Sequence, residues 1–158
     1  MSGWAEERKV LQSWFATQWA LLTTPVKGTD VPVSYEGQTF DPPKSGGAYI
    51  EMWLLGQDEG TQVSLGTPAL NRYVGMVQFT INCPLVDGGS NAQARQIADA
   101  LDGLWSGRRF QTTTGHIRCR VPGLRTLGNM DGRWIAVLTV PYLRDDIRPI
   151  PPPVALSQ

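Results

Sequence analysis

The sequence predicts an α+β fold: a mixed or antiparallel sheet of four to six strands, with an N-terminal helix and a central helix packed on one face. Three observations carry this. Two stretches repeat apolar residues at helical spacing. The segments between and after them alternate apolar and polar residues at strand spacing. At least one strand is apolar on both faces, which places it centrally or under a partner.

The first helix runs from Ser2 to about Leu22. Leu11, Trp14, Phe15, Gln18 and Leu22 share one face, Val10 and Leu21 widen it, and Trp4 and Trp19 flank it. Ser2, alone or with Gly3, caps the start, and Glu6 and Glu7 suit the positive end of the helix dipole. Thr24-Pro25 ends it, because the residue before proline resists helical geometry. The three tryptophans of this helix have two readings: all cover the sheet, or part of the face meets another subunit.

Strands follow at Val31–Tyr35 and Ala48–Leu55, separated by a proline- and glycine-rich loop over 40–47. In the second, Ile50, Met52 and Leu54 point one way, and Tyr49, Glu51, Trp53 and Leu55 the other. Residues 56–72 read as a long polar loop or as a hairpin arm projecting from the sheet. Tyr73–Cys83 is the clearest strand, with Val77, Phe79, Ile81 and Cys83 on one side.

After the break at 84–89, Ser90 opens the central helix, and Ser90 with Gln93 fits a capping box. Ala94, Ile97, Ala98, Leu101, Leu104 and Trp105 form its apolar stripe, and Gly107 ends it. The last third reads as strands at 108–113, 116–121 and 133–142, with a turn at Thr114-Gly115 and a long loop over 122–132. In the second of these, Ile117, Cys119 and Val121 face inward, and Arg118 and Arg120 outward. Residues 1–146 form one domain, and 147–158 a proline-rich tail of extended polyproline character.

Composition excludes several function classes. Two cysteines allow one disulfide at most, and with a single histidine they cannot build a Cys/His zinc cluster. Cys83 and Cys119 read as buried free thiols of a reducing cytosol. The start lacks the basic n-region of a signal peptide, and no stretch approaches the length of a membrane span. His116 opens a strand beside arginines, and no nucleophile-elbow pattern precedes a serine. Gly88-Gly89 precedes a helix without the Lys-Ser/Thr of a phosphate loop. Asp87, Asp99, Asp102, Asp145 and Asp146 lack calcium-loop spacing. The reading is a non-enzymatic protein with no cofactor and no metal.

Fourteen basic residues balance fourteen acidic ones, but not evenly along the chain. Residues 1–107 hold six basic and eleven acidic residues, a net of −5; residues 108–158 hold eight arginines and three acids, a net of +5. This is either charge balance over one folded surface, or complementary patches meeting head-to-tail between identical subunits, or arginines lining a channel that passes DNA by phosphate contact.

The order of elements, with particular residues, resembles the tailed-phage tail terminator or minor tail protein family. The residues are Pro42-Pro43 with Gly46-Gly47-Ala48-Tyr49-Ile50-Glu51-Met52, and Tyr73-Val74-Gly75-Met76-Val77-Gln78-Phe79. The helix Ala92–Leu101 follows, and Gly132-Arg133-Trp134 with Val137-Leu138-Thr139-Val140-Pro141-Tyr142 closes the pattern. The resemblance spans about residues 1–146; the long 56–72 segment and the proline tail depart from the compact version. It implies a structural virion protein of the tail or neck, assembled in the host cytoplasm. Such a protein forms a homohexameric ring that caps the tail tube and joins it to the head–tail connector or neck protein. DNA passes through the lumen without sequence-specific contact, and no membrane is involved. Trp53, Tyr73 and the loop residues Gln62, Val63 and Leu65 are the candidates for subunit or tube contacts. Arg118, Arg120 and Arg125 are the candidates for intersubunit pairing or the lumen lining. The alternatives are a neck or head-completion protein beside the connector, a small hydrolase using Cys83 or His116, and a small cytosolic nucleic-acid-binding module.

Overall fold

The computed structural model describes residues 3–56, 60–64, 66, 68–86, 89–149 and 152–155. In chain order the elements are α1 (Trp4–Leu21), a 3-10 turn at Gly28–Asp30, β1 (Val33–Tyr35), β2 (Tyr49–Gly56), β3 (Thr61–Gln62), β4 (Ala69–Pro84), α2 (Ser90–Trp105), β5 (Arg109–Gln111), β6 (Gly115–Cys119), β7 (Gly123–Met130) and β8 (Arg133–Arg148). The expected α+β class is observed, but the sheet has eight strands rather than four to six. Its path is β1-β2-β4-β8-β6-β5, with β3 also on β4 and β7 also on β8. Only β1–β2 is parallel, so the sheet is mixed.

The spine is β4 against β8, antiparallel and in continuous register from Ala69↔Arg148 to Pro84↔Arg133. Both strands outrun the expected 73–83 and 133–142. The extra length of β8 is mostly charged in sequence, yet its Arg144, Asp145 and Asp146 are buried in the fold, so it gave no apolar alternation to read. β3 folds back on the start of β4 through Thr61↔Arg72 and Gln62↔Asn71, so the 56–72 stretch holds a hairpin arm. The expected loop over 122–132 is instead β7 and a tight hairpin turn. Asp131 and Gly132 take φ of 51° and 76°, the left-handed pair that a two-residue turn between right-twisted strands demands. A bulge between Thr126 and Gly128 interrupts the β7 register.

Both helices pack on one face of the sheet. Phe15 of α1 meets Phe79 of β4 at 5.0 Å and Trp105 of α2 at 5.8 Å, and Trp105 meets Phe79 at 5.7 Å. The buried line of α1 is Glu7, Leu11, Phe15 and Trp19, one residue every helical turn. Trp19 is therefore core rather than flank, its indole N–H donating to Val31 O at 2.9 Å, while Leu21 is 70% exposed. Trp14 packs edge-on against Trp105 and Phe110. Two of the three α1 tryptophans thus serve the intramolecular core, and only Trp4 is mainly exposed.

The stripe expected for α2 is observed, with Ala94, Ile97, Ala98, Leu101 and Trp105 buried. Its start differs: Gly89 is the N-cap, with no side-chain cap bond. The Ser90 hydroxyl turns back instead, accepting from Val86 N at 2.8 Å and donating to Pro84 O at 2.9 Å, so it fastens the 84–86 connection rather than closing a capping box. Gly3 occupies the N-cap of α1 without a side-chain bond, and the expected cap at Ser2 lies outside the described residues. Val121, expected inward, is 72% exposed because β6 ends at Cys119 and the chain leaves the core there. Cys83 and Cys119 are buried free thiols, as expected.

Candidate interaction surface

Strand alternation divides the sheet into a helix-covered face and a free one. On β2, Ile50 and Met52 are buried under the helices, which leaves Glu51, Trp53 and Leu55 on the free face. Register then places Met76 and Pro141 beside Leu55, Gln78 and Thr139 beside Trp53, and Val74 and Leu143 in a row with Arg118. Trp53, Leu55, Val74 and Met76 are each 38–43% exposed, an apolar band that no helix covers.

Polar groups interrupt this band where β8 turns charged. Asp145 is 3% exposed on the free face, between Arg72 of β4 and His116 of β6, its two register partners. Arg72 binds it through Nε at 2.7 Å and Nη2 at 2.9 Å, while His116 Nε2 and Arg118 Nη2 stand 3.6 and 3.7 Å away. The hydrogen bonds from Arg72, outweighing desolvation, hold the Asp145 carboxyl below its ordinary range, and the charges of Arg72, His116 and Arg118 add to this.

On the helix side of the same strand, Arg144 and Asp146 are almost fully buried. Arg144 ion-pairs with Glu7 of α1, Nε to Oε2 at 2.8 Å, and with Asp146. Its guanidinium lies 4.1 Å over the Tyr73 ring and 5.6 Å from the Trp4 ring. The Tyr142 hydroxyl donates to Glu7, and burial together with that carboxylate pushes the phenol well above its ordinary range. Glu6 accepts from both the N–H and the hydroxyl of Thr113 at 2.7 Å. Carboxylates on adjacent positions therefore dock the first turns of α1 on β8 and on the β5–β6 connection.

The expected contact residues have different placements. Trp53 lies on the free face. Tyr73 faces the helix side, committed to Arg144 and Trp4, with Gly60 so close that a Cβ there would stand 2.5 Å from its ring. Gln62 and Val63 are exposed on the β3 arm, and Leu65 lies outside the described residues. Arg118 and Arg120 edge a concavity of about 240 Å³ shared with Gly107, Arg109, Cys119 and Leu143. Arg125 is exposed on β7, in the free-face row Glu51, Thr80, Val137, Arg125. The structure thus gathers Arg118 with Arg120 and separates them from Trp53 and Tyr73. It adds Arg109, missed in the sequence because its membership of this cluster depends on β5–β6 pairing.

Among the described residues no group of three or more His, Cys, Asp or Glu side chains is arranged to hold a metal ion. No helix there is long and apolar enough to cross a membrane. Burial pushes the Cys83 thiol up to about 11 and the Cys119 thiol up to about 12, away from nucleophilic thiolate at neutral pH.

The sequence model of the phage tail terminator protein family matches residues 12–142. The chain belongs to that family. Membership gives it a structural, tail-related role in the phage and makes it a component of the virion tail that meets other tail components. The match runs from the middle of α1 through Tyr142 of β8, and so includes the free-face band but not the charged end of β8. A solved structure shares the fold, with a TM-score of 0.68 at 18% identity over 96% of this chain and 100% of that chain. No curated protein matches the sequence.

Proposed function

We propose that the chain is the tail terminator itself: a non-enzymatic protein that closes into a homohexameric ring. The ring caps the completed tail tube and joins it to the neck or head–tail connector protein, and DNA passes through its lumen without base-specific contact. Family membership over residues 12–142 carries this reading. The free face supports it, because an apolar band with an aromatic anchor at Trp53 is the composition of a protein–protein interface core. A ring also protects strand edges, here β1, β5 and β7, that would otherwise template open-ended pairing.

Deletion of the gene tests the assignment. Expected are filled heads and unjoined tails of uncontrolled length, with the protein co-purifying with tails when it is restored. A protein that stays with tailless heads would instead be a neck or head-completion component.

A further inference from the structure

The sheet is polarised across its width. At the β5–β6 end of the free face, Arg109 lies directly opposite Arg118 in the antiparallel ladder, and Arg120 follows on the same side. Like charges in register a few ångströms apart are destabilising unless an anion sits between them. The nearest acid, Asp145, is already gripped by Arg72 and only approaches Arg118 at 3.7 Å; Arg109 and Arg120 have no ion-pair partner among the described residues. The three arginines line the concavity of about 240 Å³ together with Gly107, Cys119 and the apolar side chain of Leu143.

At the other end of the same face, Glu51 of β2 has no ion-pair partner among the described residues. It stands in line with Trp53 and Leu55, a carboxylate beside two half-exposed apolar side chains. Arginines with an apolar side chain at one end are complementary to an acid with apolar neighbours at the other.

We propose that the Arg109–Arg118–Arg120 concavity of one copy receives the Glu51 carboxylate of the next copy, in a head-to-tail contact. In the ring reading each copy offers its concavity to one neighbour and its Glu51 to the other, and the contact is then heterologous. A nucleic-acid phosphate would satisfy the arginines but would leave the Leu143 side chain and the Trp53–Leu55 pair uncovered, which favours a protein occupant. The pairing rests on the ring reading above and names the residues that close it.

The test supplies the full chain in trans to a phage deleted for its gene and counts joined particles by electron microscopy. R109E/R120E, which spares Arg118 and its contact to Asp145, is expected to lose joined particles by at least about tenfold. E51R, made at the other end of the face, is expected to lose them similarly. The triple variant R109E/R120E/E51R reverses Glu51 and two of its three arginine partners, with Arg118 unchanged, and is expected to recover part of the yield lost by R109E/R120E. Thermal melts of each purified variant confirm folding. Full yield from R109E/R120E, or no recovery in the folded triple variant, overturns the pairing. So does a folded R109E/R120E that still forms rings but loses salt-sensitive DNA binding, which would make the concavity a phosphate site. A wild-type chain that restores heads rather than tails overturns the terminator reading, and the reversal pattern then still reports whether copies pair through these residues.

Discussion

Arg72 on β4 and Asp145 on β8 are register partners and form a two-pronged ion pair, at 2.7 and 2.9 Å, on the face of the sheet that no helix covers. The aspartate is buried there because its neighbours are cations from both flanking strands. A buried carboxylate without them would be costly.

The pair makes stability sensitive to acid. The folded pKa of Asp145 is lowered, so its contribution is fully present above the unfolded carboxylate value of 3.8 and is lost as the pH falls through the folded value. Urea midpoints should drop on acidification below about pH 4. Asp145→Asn should flatten that drop and, with Arg72 a third exposed, cost about 2 kcal/mol at neutral pH.

Glu7 holds α1 to the sheet through Arg144 and Tyr142, from a position almost without solvent. Glu7→Ala strips a buried cation of one of its two carboxylates and should cost about 3 kcal/mol or more in denaturant unfolding. Glu7→Gln retains an acceptor for Tyr142 and should cost less.

Both thiols should resist a disulfide-exchange reagent in the native protein and react when it is unfolded. Their folded pKa values, about 11 for Cys83 and about 12 for Cys119, exceed the ordinary 9.0. Their contribution to stability is therefore complete below pH 9 and declines as the pH rises through those values. Cys83→Ser with Cys119→Ser should weaken that alkaline slope in urea titrations.

Two glycines should respond oppositely to alanine. A Cβ on Gly115 would stand 1.8 Å from Asp145 O, inside the β6–β8 ladder, so Gly115→Ala should destabilise by about 2–3 kcal/mol. A Cβ on Gly103 in α2 meets nothing within 4 Å, and Gly103→Ala should stabilise by about 0.5–1 kcal/mol. Thermal melts of both variants check this pair.

The legible parts were those where one periodic pattern met one environment. Ala94, Ile97, Ala98, Leu101 and Trp105 announce the buried face of α2, and Val77, Phe79, Ile81 and Cys83 that of β4. β7 carries no such pattern because it is exposed almost throughout, although Asp131-Gly132 was a usable hairpin signal. Glu7 and Arg144 look like surface charges in sequence, because burial becomes tolerable only through partners far along the chain. The capping box failed for a related reason: the Ser90 hydroxyl had an alternative partner in the 84–86 connection.

The sequence by itself determined the α+β class, the buried face of α2, the buried thiols and the family, since each is written in local periodicity, composition or motif order. It also held the −5 and +5 halves. Tertiary structure alone decided what those charges do. Strand pairing buries part of them in the Glu7–Arg144–Asp146 and Arg72–Asp145 clusters. It leaves Glu51 and the Arg109–Arg118 pair at opposite ends of one open face, because register between distant strands, not spacing within them, sets which charges meet.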